Sequence, residues 1–247
     1  MQYTRQEVLD RLSKQIQQGN SILMFGAGTG LTAKCAEKGG ADLIGIYSTA
    51  VFRMHGQPSI LAWLPYGDCN KHTFDMAKSI LPVVKSTPCI AGIGAHDPSV
   101  DFDSIIKRLE EYGFSGVNNE PFSGLYGKYF SEQLERAGVG FSREVELIKA
   151  AHKNNFFSVA WAMSNEEAAR MAAAFVSTDE RFYQDLASGR CFQEYNFSAA
   201  EWIEKCDVIS AVLLSLKENT VKSDLTLFNR LLNTNYLQIQ SSITNEF

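Results

Sequence analysis

The fold is decided by the stretch Ile22-Leu23-Met24-Phe25-Gly26-Ala27-Gly28-Thr29-Gly30-Leu31, in which an apolar run meets a turn with three glycines. Small and apolar residues continue after the turn at helical spacing, so the pattern predicts a strand, a tight turn and a helix. Glycine suits a turn whose backbone takes a positive φ or comes close to a ligand. The first N–H groups of the helix would then bind an anion. The turn is either a tight connection or an anion cradle, and the sequence leaves both open.

The same strand-turn-helix unit recurs along the chain. After the strand at residues 22–25, strands are expected at residues 42–47, 89–93, 114–118 and 156–160. Helices are expected at residues 4–18, 71–81, 100–112, 142–154 and 165–174. Because strand and helix alternate without hairpin signals, the units predict either an open doubly wound sheet or a closed (β/α) barrel. Each strand ends in polar residues, and a barrel gathers such residues on the rim where its chemistry takes place.

The alternation of strand and helix ends near residue 174. A complete barrel has about eight strands, whereas this sequence offers six if residues 206–212 are counted. If the units close on themselves, they form an α/β fold of TIM-barrel type that is complete only if residues 175–247 supply the remaining strands, and residues 1–174 are its barrel portion. Residues 175–247 are expected to form a divergent, mostly helical segment that packs on the same domain. Of two long connections, residues 48–70 are interpreted as an ordered loop near a site or a subunit contact, since such loops are usually functional or disordered, and residues 119–140 as a polar and aromatic loop.

Composition argues against a nucleic-acid-binding, membrane-spanning or secreted protein. The 247 residues carry a formal net charge of −5, so no overall positive field favours nucleic acid or an anionic membrane. No apolar stretch is long enough to cross a bilayer, and the first residues lack the apolar core of a signal peptide. The five cysteines are scattered and form no C-x-x-C pair. We expect a cytoplasmic protein without nucleic-acid or membrane partners.

From residue 20 to about residue 173 the chain resembles the phosphoenolpyruvate hydrolase-like family, which is related to the phosphoenolpyruvate mutase and isocitrate lyase group. The resemblance lies in several separate blocks that occur in the right order. These blocks are FGAGTGLTAKCAEKGGADLIGIY at residues 25–47, FRMHG at 52–56, LPYGDCN at 64–70, TPCIAGIGAHDP at 87–98, GFSGVNNEP at 113–121, SGL at 123–125 and AGVGFSREVELIKAAH at 137–152. The resemblance implies a (β/α) barrel that acts on a small phosphorylated or phosphonylated keto acid.

The chain also departs from the family pattern. Family members continue with a Gly-Ala-Asp strand and later a His-Gly-Gly-Pro segment, whereas Ala174 is followed here by a different sequence without His-Gly-Gly. Barrels commonly hold phosphate with the loops after their last two strands. Glu120 is a second departure, because the family is expected to have an apolar aromatic residue at that position.

The implied reaction would leave an enolate, which an enzyme stabilises with a divalent metal or with positioned hydrogen-bond donors. Magnesium needs only one or two carboxylates because it keeps several waters. We take Mg²⁺ as the expected cofactor and Asp68 and Asp97 as its candidate ligands. Each has an alternative role, since Asp97 precedes a helix that it would cap and Asp68 would hold a turn.

Other polar residues of the matching blocks are candidates for catalysis and binding. Arg53 is the best anion binder, because a guanidinium grips a carboxylate or phosphate with two parallel hydrogen bonds. His55 and His96 would move protons near neutral pH, and Asn119 would donate to an oxyanion. The candidate substrate-binding residues are Gly26, Gly28, Thr29, Gly30, Tyr47 and Asn118. For each side chain a structural role in its loop is the alternative.

Two functions follow from these expectations. The first is a metal-assisted hydrolase or lyase that cleaves a phosphoenolpyruvate-like or phosphonopyruvate-like acid. The second is a non-catalytic module that senses a small anionic metabolite or interacts with a partner, as the altered carboxyl-terminal third suggests. An incomplete barrel leaves an edge strand that must be covered, so we also expect a homo-oligomer.

Overall fold

In the computed structural model of the chain, the residues described are 2–176. The expected sixth strand at residues 206–212 and nearly all of the divergent segment lie outside the described residues. Among residues 2–176, no helix is both long and apolar enough to cross a membrane.

Five short strands form one sheet in which every neighbouring pair is parallel. The strands are β1 (Met24–Gly26), β2 (Leu43–Ile46), β3 (Cys89–Gly92), β4 (Gly116–Asn118) and β5 (Phe157–Val159). The helices are α1 (Arg5–Gln17), α2 (Gly30–Lys38), α3 (Ser48–Met54), α4 (Cys69–Ile80), α5 (Phe102–Tyr112), α6 (Lys128–Arg136), α7 (Phe141–Lys153) and α8 (Asn165–Val176). Two 3₁₀ turns, Ser59–Trp63 and Ser123–Leu125, lie in the connections after β2 and β4.

The strand order is β1-β2-β3-β4-β5, so each strand pairs with the one before it in sequence. A doubly wound sheet would instead reverse its strand order at a switch point. The prediction of a TIM-barrel type of α/β fold is therefore confirmed for the described part of the chain. Because all strands run in the same direction, the connections that follow them lie at one edge of the sheet.

Alternate residues of the strands face opposite sides of the sheet. The outer side packs against α2, α4, α5 and α7, and its buried members include Ile44, Ala91 and Val117. The inner side packs partly against α1, where Val8, Leu9 and Leu12 meet the strands. The prediction that Thr4 caps α1 with a partner at Glu7 is confirmed, since both hydrogen bonds of the capping box are present.

Two helices were not expected from the sequence. Residues 48–54 and 128–136 lie in connections that were interpreted as loops, yet they form α3 and α6. Both helices are preceded by residues that provide no side-chain cap, Tyr47 and Gly127. Without a capping residue, a short helix has little sequence signal for its start.

The sheet is not equally covered at its two ends. Leu23 is 43% exposed and Phe25 is 40% exposed on and beside β1. Leu31, on the following helix, is 74% exposed. In contrast, every residue of β3, β4 and β5 is buried. An apolar surface is therefore present along β1 in the described part of the protein.

Candidate functional site

Tyr47, which directly follows β2, lies across three strands on the inner side of the sheet. A methyl group on Gly26, Gly45 or Gly92 would overlap the Tyr47 side chain. Glycine is therefore required at these positions because the ring comes so close to the backbone. The three glycines form a floor on which Tyr47 rests at the carboxyl ends of the strands.

Glu120 is a buried carboxyl at the end of β4, with only 5% of its surface exposed. The Thr49 hydroxyl donates a hydrogen bond to Glu120 Oε1 at 2.5 Å. Burial raises the pKa of Glu120 to about 7, although the Thr49 hydrogen bond and the charge of Arg53 act in the opposite direction. A carboxyl in this state exchanges its proton near neutral pH.

Arg53 brings a positive charge to the same place. Its guanidinium carbon lies 5.9 Å from the centre of the Tyr47 ring, and Nη1 donates to Ser59 Oγ at 3.2 Å. The side chain of Asn118 lies opposite Gly92, and its Oδ1 accepts the Glu120 N–H at 3.1 Å. We call Tyr47, Thr49, Arg53, Asn118 and Glu120 the mouth cluster.

Three buried hydrogen-bond donors at this edge of the sheet lack a partner among the described residues. They are Ser48 Oγ, Asn118 Nδ2 and Trp161 Nε1, which follow or end β2, β4 and β5. Buried polar groups are nearly always hydrogen-bonded, so such groups call for an explanation. Donors without acceptors are what a small anion with several oxygen atoms would satisfy.

A second buried carboxyl, Glu144 of α7, is held very differently. It accepts hydrogen bonds from Ser123 N at 2.7 Å, Ser123 Oγ at 2.5 Å and Asn119 Nδ2 at 2.5 Å. Burial raises the pKa of Glu144 to about 7, against the effect of these donors. Asn119 Nδ2 also donates to the Trp161 carbonyl at 3.0 Å, and Asn119 Oδ1 accepts the Trp161 N–H at 2.7 Å. We call Asn119, Ser123, Glu144 and the Trp161 backbone the joint cluster.

Aromatic side chains join the connections that follow β2, β4 and β5. Trp63 Nε1 donates to the Phe122 carbonyl at 2.6 Å, and the two rings meet edge to face at 5.4 Å. Phe122 in turn stacks on Trp161 with ring centres 5.8 Å apart. The two long connections therefore form an ordered wall beside the mouth cluster.

Asp68 and Asp97 lie away from the mouth cluster, along a surface groove between α4 and α5. Asp68 caps α4 by accepting the Lys71 N–H at 2.9 Å. Asp97 accepts from Ser99 N at 2.9 Å and from Ser99 Oγ at 2.7 Å, and the Ser99 hydroxyl lowers the pKa of Asp97. The alternative in which Asp97 caps the next helix is wrong, because Asp101 is the residue that caps α5.

The described residues contain no group of three or more His, Cys, Asp or Glu side chains that could hold a metal. Since magnesium needs only one or two carboxylates, Asp68 and Asp97 are the residues that would hold it. Asp68 and Asp97 each use a carboxylate oxygen on a backbone N–H. His96, beside them, has Cys69 Sγ 3.9 Å from its Nε2. Burial raises the pKa of Cys69 to about 11, so this thiol stays protonated at neutral pH.

The turn after β1 contains Gly28 and Gly30 because it packs closely against neighbouring helices. A methyl group on Gly28 would lie 2.5 Å from the Ala50 carbonyl oxygen, and one on Gly30 would lie 2.5 Å from the Ser79 carbonyl oxygen. Thr29 caps α2, accepting the Thr32 N–H at 3.2 Å. Close packing of the turn against α3 and α4 therefore accounts for Gly28 and Gly30 without a ligand.

The structure brings together only some of the residues that the sequence singled out. Gly26, Tyr47, Arg53 and Asn118 meet at the mouth cluster, whereas Asn119 belongs to the joint cluster. Asp68 and Asp97 line the groove between α4 and α5, which we call the outer groove, and His96 precedes Asp97 in sequence. Gly28, Thr29 and Gly30 pack in the first turn. His55 is exposed at the end of α3.

Sequence reasoning missed Thr49, Glu120 and Glu144 as functional candidates. Glu120 carried one signal, since it stands where an apolar aromatic residue was expected. Glu144 carried no signal, because nothing in one sequence shows which carboxyl is buried. Thr49 carried none, because one sequence does not show that its hydroxyl contacts Glu120.

A family model described as phosphoenolpyruvate hydrolase-like matches residues 7–178. Two proteins of Solanum lycopersicum, described as ToMV resistance protein Tm-1(GCR237) and ToMV susceptible protein tm-1(GCR26), are each 42% identical to this chain, over 170 and 167 residues. These matches cover 69% and 68% of this chain but only 22% of each tomato protein. The chain therefore corresponds to a part of those longer proteins.

One solved structure, a phosphonopyruvate hydrolase complex with oxalate and Mg²⁺, superimposes on this chain with a TM-score of 0.51. The superposition covers 95% of this chain and 100% of that chain, at 14% sequence identity. At this level of identity the similarity shows a shared fold.

Proposed function

Because the chain belongs to the phosphoenolpyruvate hydrolase-like family, we propose that it binds a small phospho- or phosphono-keto acid at the mouth cluster and cleaves it as a hydrolase or lyase. The ligand class comes from the family and from the solved structure of similar fold. The place comes from the geometry at the carboxyl ends of the strands, where barrels of this type carry their active sites.

The observation that carries the proposal is the set of buried donors without acceptors. Ser48 Oγ, Asn118 Nδ2 and Trp161 Nε1 have no partner among the described residues, and the guanidinium of Arg53 lies beside Tyr47 at the same edge. A keto acid with a carboxylate and a phosphate or phosphonate group offers oxygen atoms to all of them. Leaving one such donor unsatisfied costs about 1–3 kcal/mol, so a ligand that satisfies several donors gains affinity.

Each residue has a role that follows from its chemistry. Arg53 pairs with a charged group of the ligand through two parallel N–H donors. In this proposal Asn118 and Ser48 donate hydrogen bonds to the charge that develops on the keto oxygen when the neighbouring bond breaks and an enolate forms. Tyr47 supplies an apolar wall, because its ring lies on the glycine floor.

These roles belong to side chains of the chain itself, and none of them is routed through a magnesium ion. Mg²⁺ usually binds proteins through few carboxylates together with the phosphates of a substrate. The ion can therefore arrive bound to the ligand, and the assay compares phosphate release with and without Mg²⁺.

The test is to incubate the protein with phosphonopyruvate or phosphoenolpyruvate, each with and without Mg²⁺, and to follow phosphate release by phosphorus NMR. The proposal predicts release that Arg53→Ala removes. Arg136→Ala, at the exposed end of α6, is the matched control and should retain full activity. Absence of release together with absence of binding by calorimetry would contradict the proposal.

A second function is a non-catalytic sensor of the same anion, which is favoured by the departure of the sequence from the family pattern after Ala174. Such a sensor would bind the same ligands at the mouth cluster without releasing phosphate. Thermal stabilisation by phosphonopyruvate in a sample that shows no turnover would identify this case.

We also propose that the protein is a homo-oligomer. Exposed apolar side chains lie on and beside β1, and a large apolar patch on a protein surface usually marks an interaction site. Light scattering at micromolar concentration should give a mass above that of one chain, and a monomeric mass would contradict this proposal.

A further inference from the structure

Glu120 and Arg53 are charged side chains of the mouth cluster that act on each other. The charged group that acts on Glu120 is Arg53. The neutral groups around it are the Thr49 hydroxyl, which donates to Oε1, and the Asn118 amide, whose Oδ1 accepts the Glu120 N–H. Glu120 is almost fully buried, whereas Arg53 is exposed.

This arrangement creates a competition for the charge of Arg53. When Glu120 is ionised, the guanidinium compensates a charge of the protein itself. An anionic ligand that approaches the same guanidinium then meets a buried carboxylate. Two like charges in a poorly solvated place repel each other strongly, and protonation of one carboxyl removes the repulsion.

We propose that the mouth cluster takes up its anionic ligand together with one proton, which Glu120 holds. This inference rests on the proposed ligand site and specifies how that site recognises charge. A proton from solvent forms a bond with one Glu120 oxygen, and no other covalent bond forms or breaks. The resulting carboxylic acid can donate to a ligand oxygen while Thr49 still donates to the other carboxyl oxygen. The Arg53 charge is then free for the ligand.

The proton equilibrium of Glu120 supports this role. Because burial raises the pKa of Glu120 to about 7, protonation near neutral pH needs little free energy.

Oxalate is a suitable probe, because both of its carboxylates stay ionised between about pH 6 and about pH 9. Calorimetry over this range should show that the affinity of the protein falls about tenfold per pH unit above about pH 7. Measured near pH 8 in buffers of different ionisation heat, binding should take up about one proton per oxalate. Glu120→Gln mimics the protonated acid, so its affinity should stay at the low-pH level and its proton uptake should vanish.

Two further variants make the test independent of how well Glu120→Gln folds. Thr49→Val removes a donor that stabilises the ionised carboxyl, so the decline in affinity should begin at a higher pH. Glu146→Gln, an exposed position on α7, is the control and should follow the unmodified protein.

The outcomes separate this inference from the proposed function. If oxalate binds with the same pH dependence in the unmodified protein and in Glu120→Gln, proton uptake by Glu120 is refuted and the anion site stands. If neither oxalate nor phosphonopyruvate binds at any pH, both proposals are refuted.

Discussion

The mouth cluster and the joint cluster contain the same kinds of side chain, yet their hydrogen bonding differs. Each cluster has an asparagine from the end of β4 and a buried glutamate whose pKa is raised to about 7. Glu144 accepts three hydrogen bonds, and the Asn119 amide uses both of its donor hydrogens. In contrast, Glu120 accepts one side-chain hydrogen bond from Thr49, and Asn118 Nδ2 has no partner among the described residues.

The comparison shows that burial and a raised pKa do not by themselves identify a functional carboxyl. Satisfied hydrogen bonds make Glu144 a structural link between β4, β5 and α7. The Asn118 amide next to Glu120 has a donor without a partner among the described residues, which a ligand would satisfy.

The largest expected effect is on stability, and it distinguishes the two glutamates. Glu144→Ala should lower the free energy of unfolding by about 4 kcal/mol, because three buried donors lose their acceptor. Glu120→Ala, which leaves the single Thr49 donor without its partner, should lower it by about 1.5 kcal/mol. Urea denaturation at about pH 4.5, where both glutamates are protonated in the folded protein, measures both values. Equal losses would mean that the two clusters do not differ in the way described.

The second effect concerns pH. The pKa of Glu120 is raised in the folded state to about 7, so the folded protein holds a proton that the unfolded chain releases near pH 4.5. Stability from this group is therefore present below about pH 4.5 and is lost as the pH rises to about 7. Glu120→Gln avoids this loss, so relative to the unmodified protein it should gain up to about 3 kcal/mol between about pH 4.5 and about pH 8.

Urea denaturation at several pH values checks this gain, with Glu146→Gln as the exposed control. A difference between Glu120→Gln and the unmodified protein that does not change with pH would show that Glu120 has an ordinary pKa.

The third effect concerns the glycine floor of the mouth cluster. Gly92→Ala would place a methyl group onto the Tyr47 side chain, and such overpacking typically costs about 1–3 kcal/mol. Oxalate binding should weaken as well, because Tyr47 must move. Gly127→Ala is the matched control, since no atom lies within 4 Å of its added methyl group. Similar losses in both variants would argue against the floor.

The smallest effect is expected in the outer groove. Asp97→Asn should change the affinity for oxalate by less than about twofold, because Asp97 holds its own turn through Ser99 and its effect on stability is at most about 1 kcal/mol. Calorimetry measures the affinity. A large loss of oxalate binding would place the anion site in the groove, as the sequence had suggested for a metal.

The sequence predicted the repeated strand-helix units because apolar periodicity and glycine stops depend on local structure. It missed α3 and α6, which begin after Tyr47 and Gly127 without a side-chain cap. It also placed Asn119 and Asp97 with Arg53, since each follows a strand. Whether neighbouring residues such as Asn118 and Asn119 face a cavity or a neighbouring helix depends on three-dimensional packing, which one sequence does not encode locally.

The most direct test of an anion site at the mouth cluster is nitrogen NMR of side chains during an oxalate titration near pH 6.5. The Asn118 amide and the Trp161 indole N–H lack partners among the described residues, so both signals should shift with one dissociation constant. The Asn119 amide, which is fully hydrogen-bonded, should shift little, and Arg53→Ala should remove the response. Shifts confined to the outer groove, or no shift of Asn118 and Trp161 at saturating oxalate, would contradict the account.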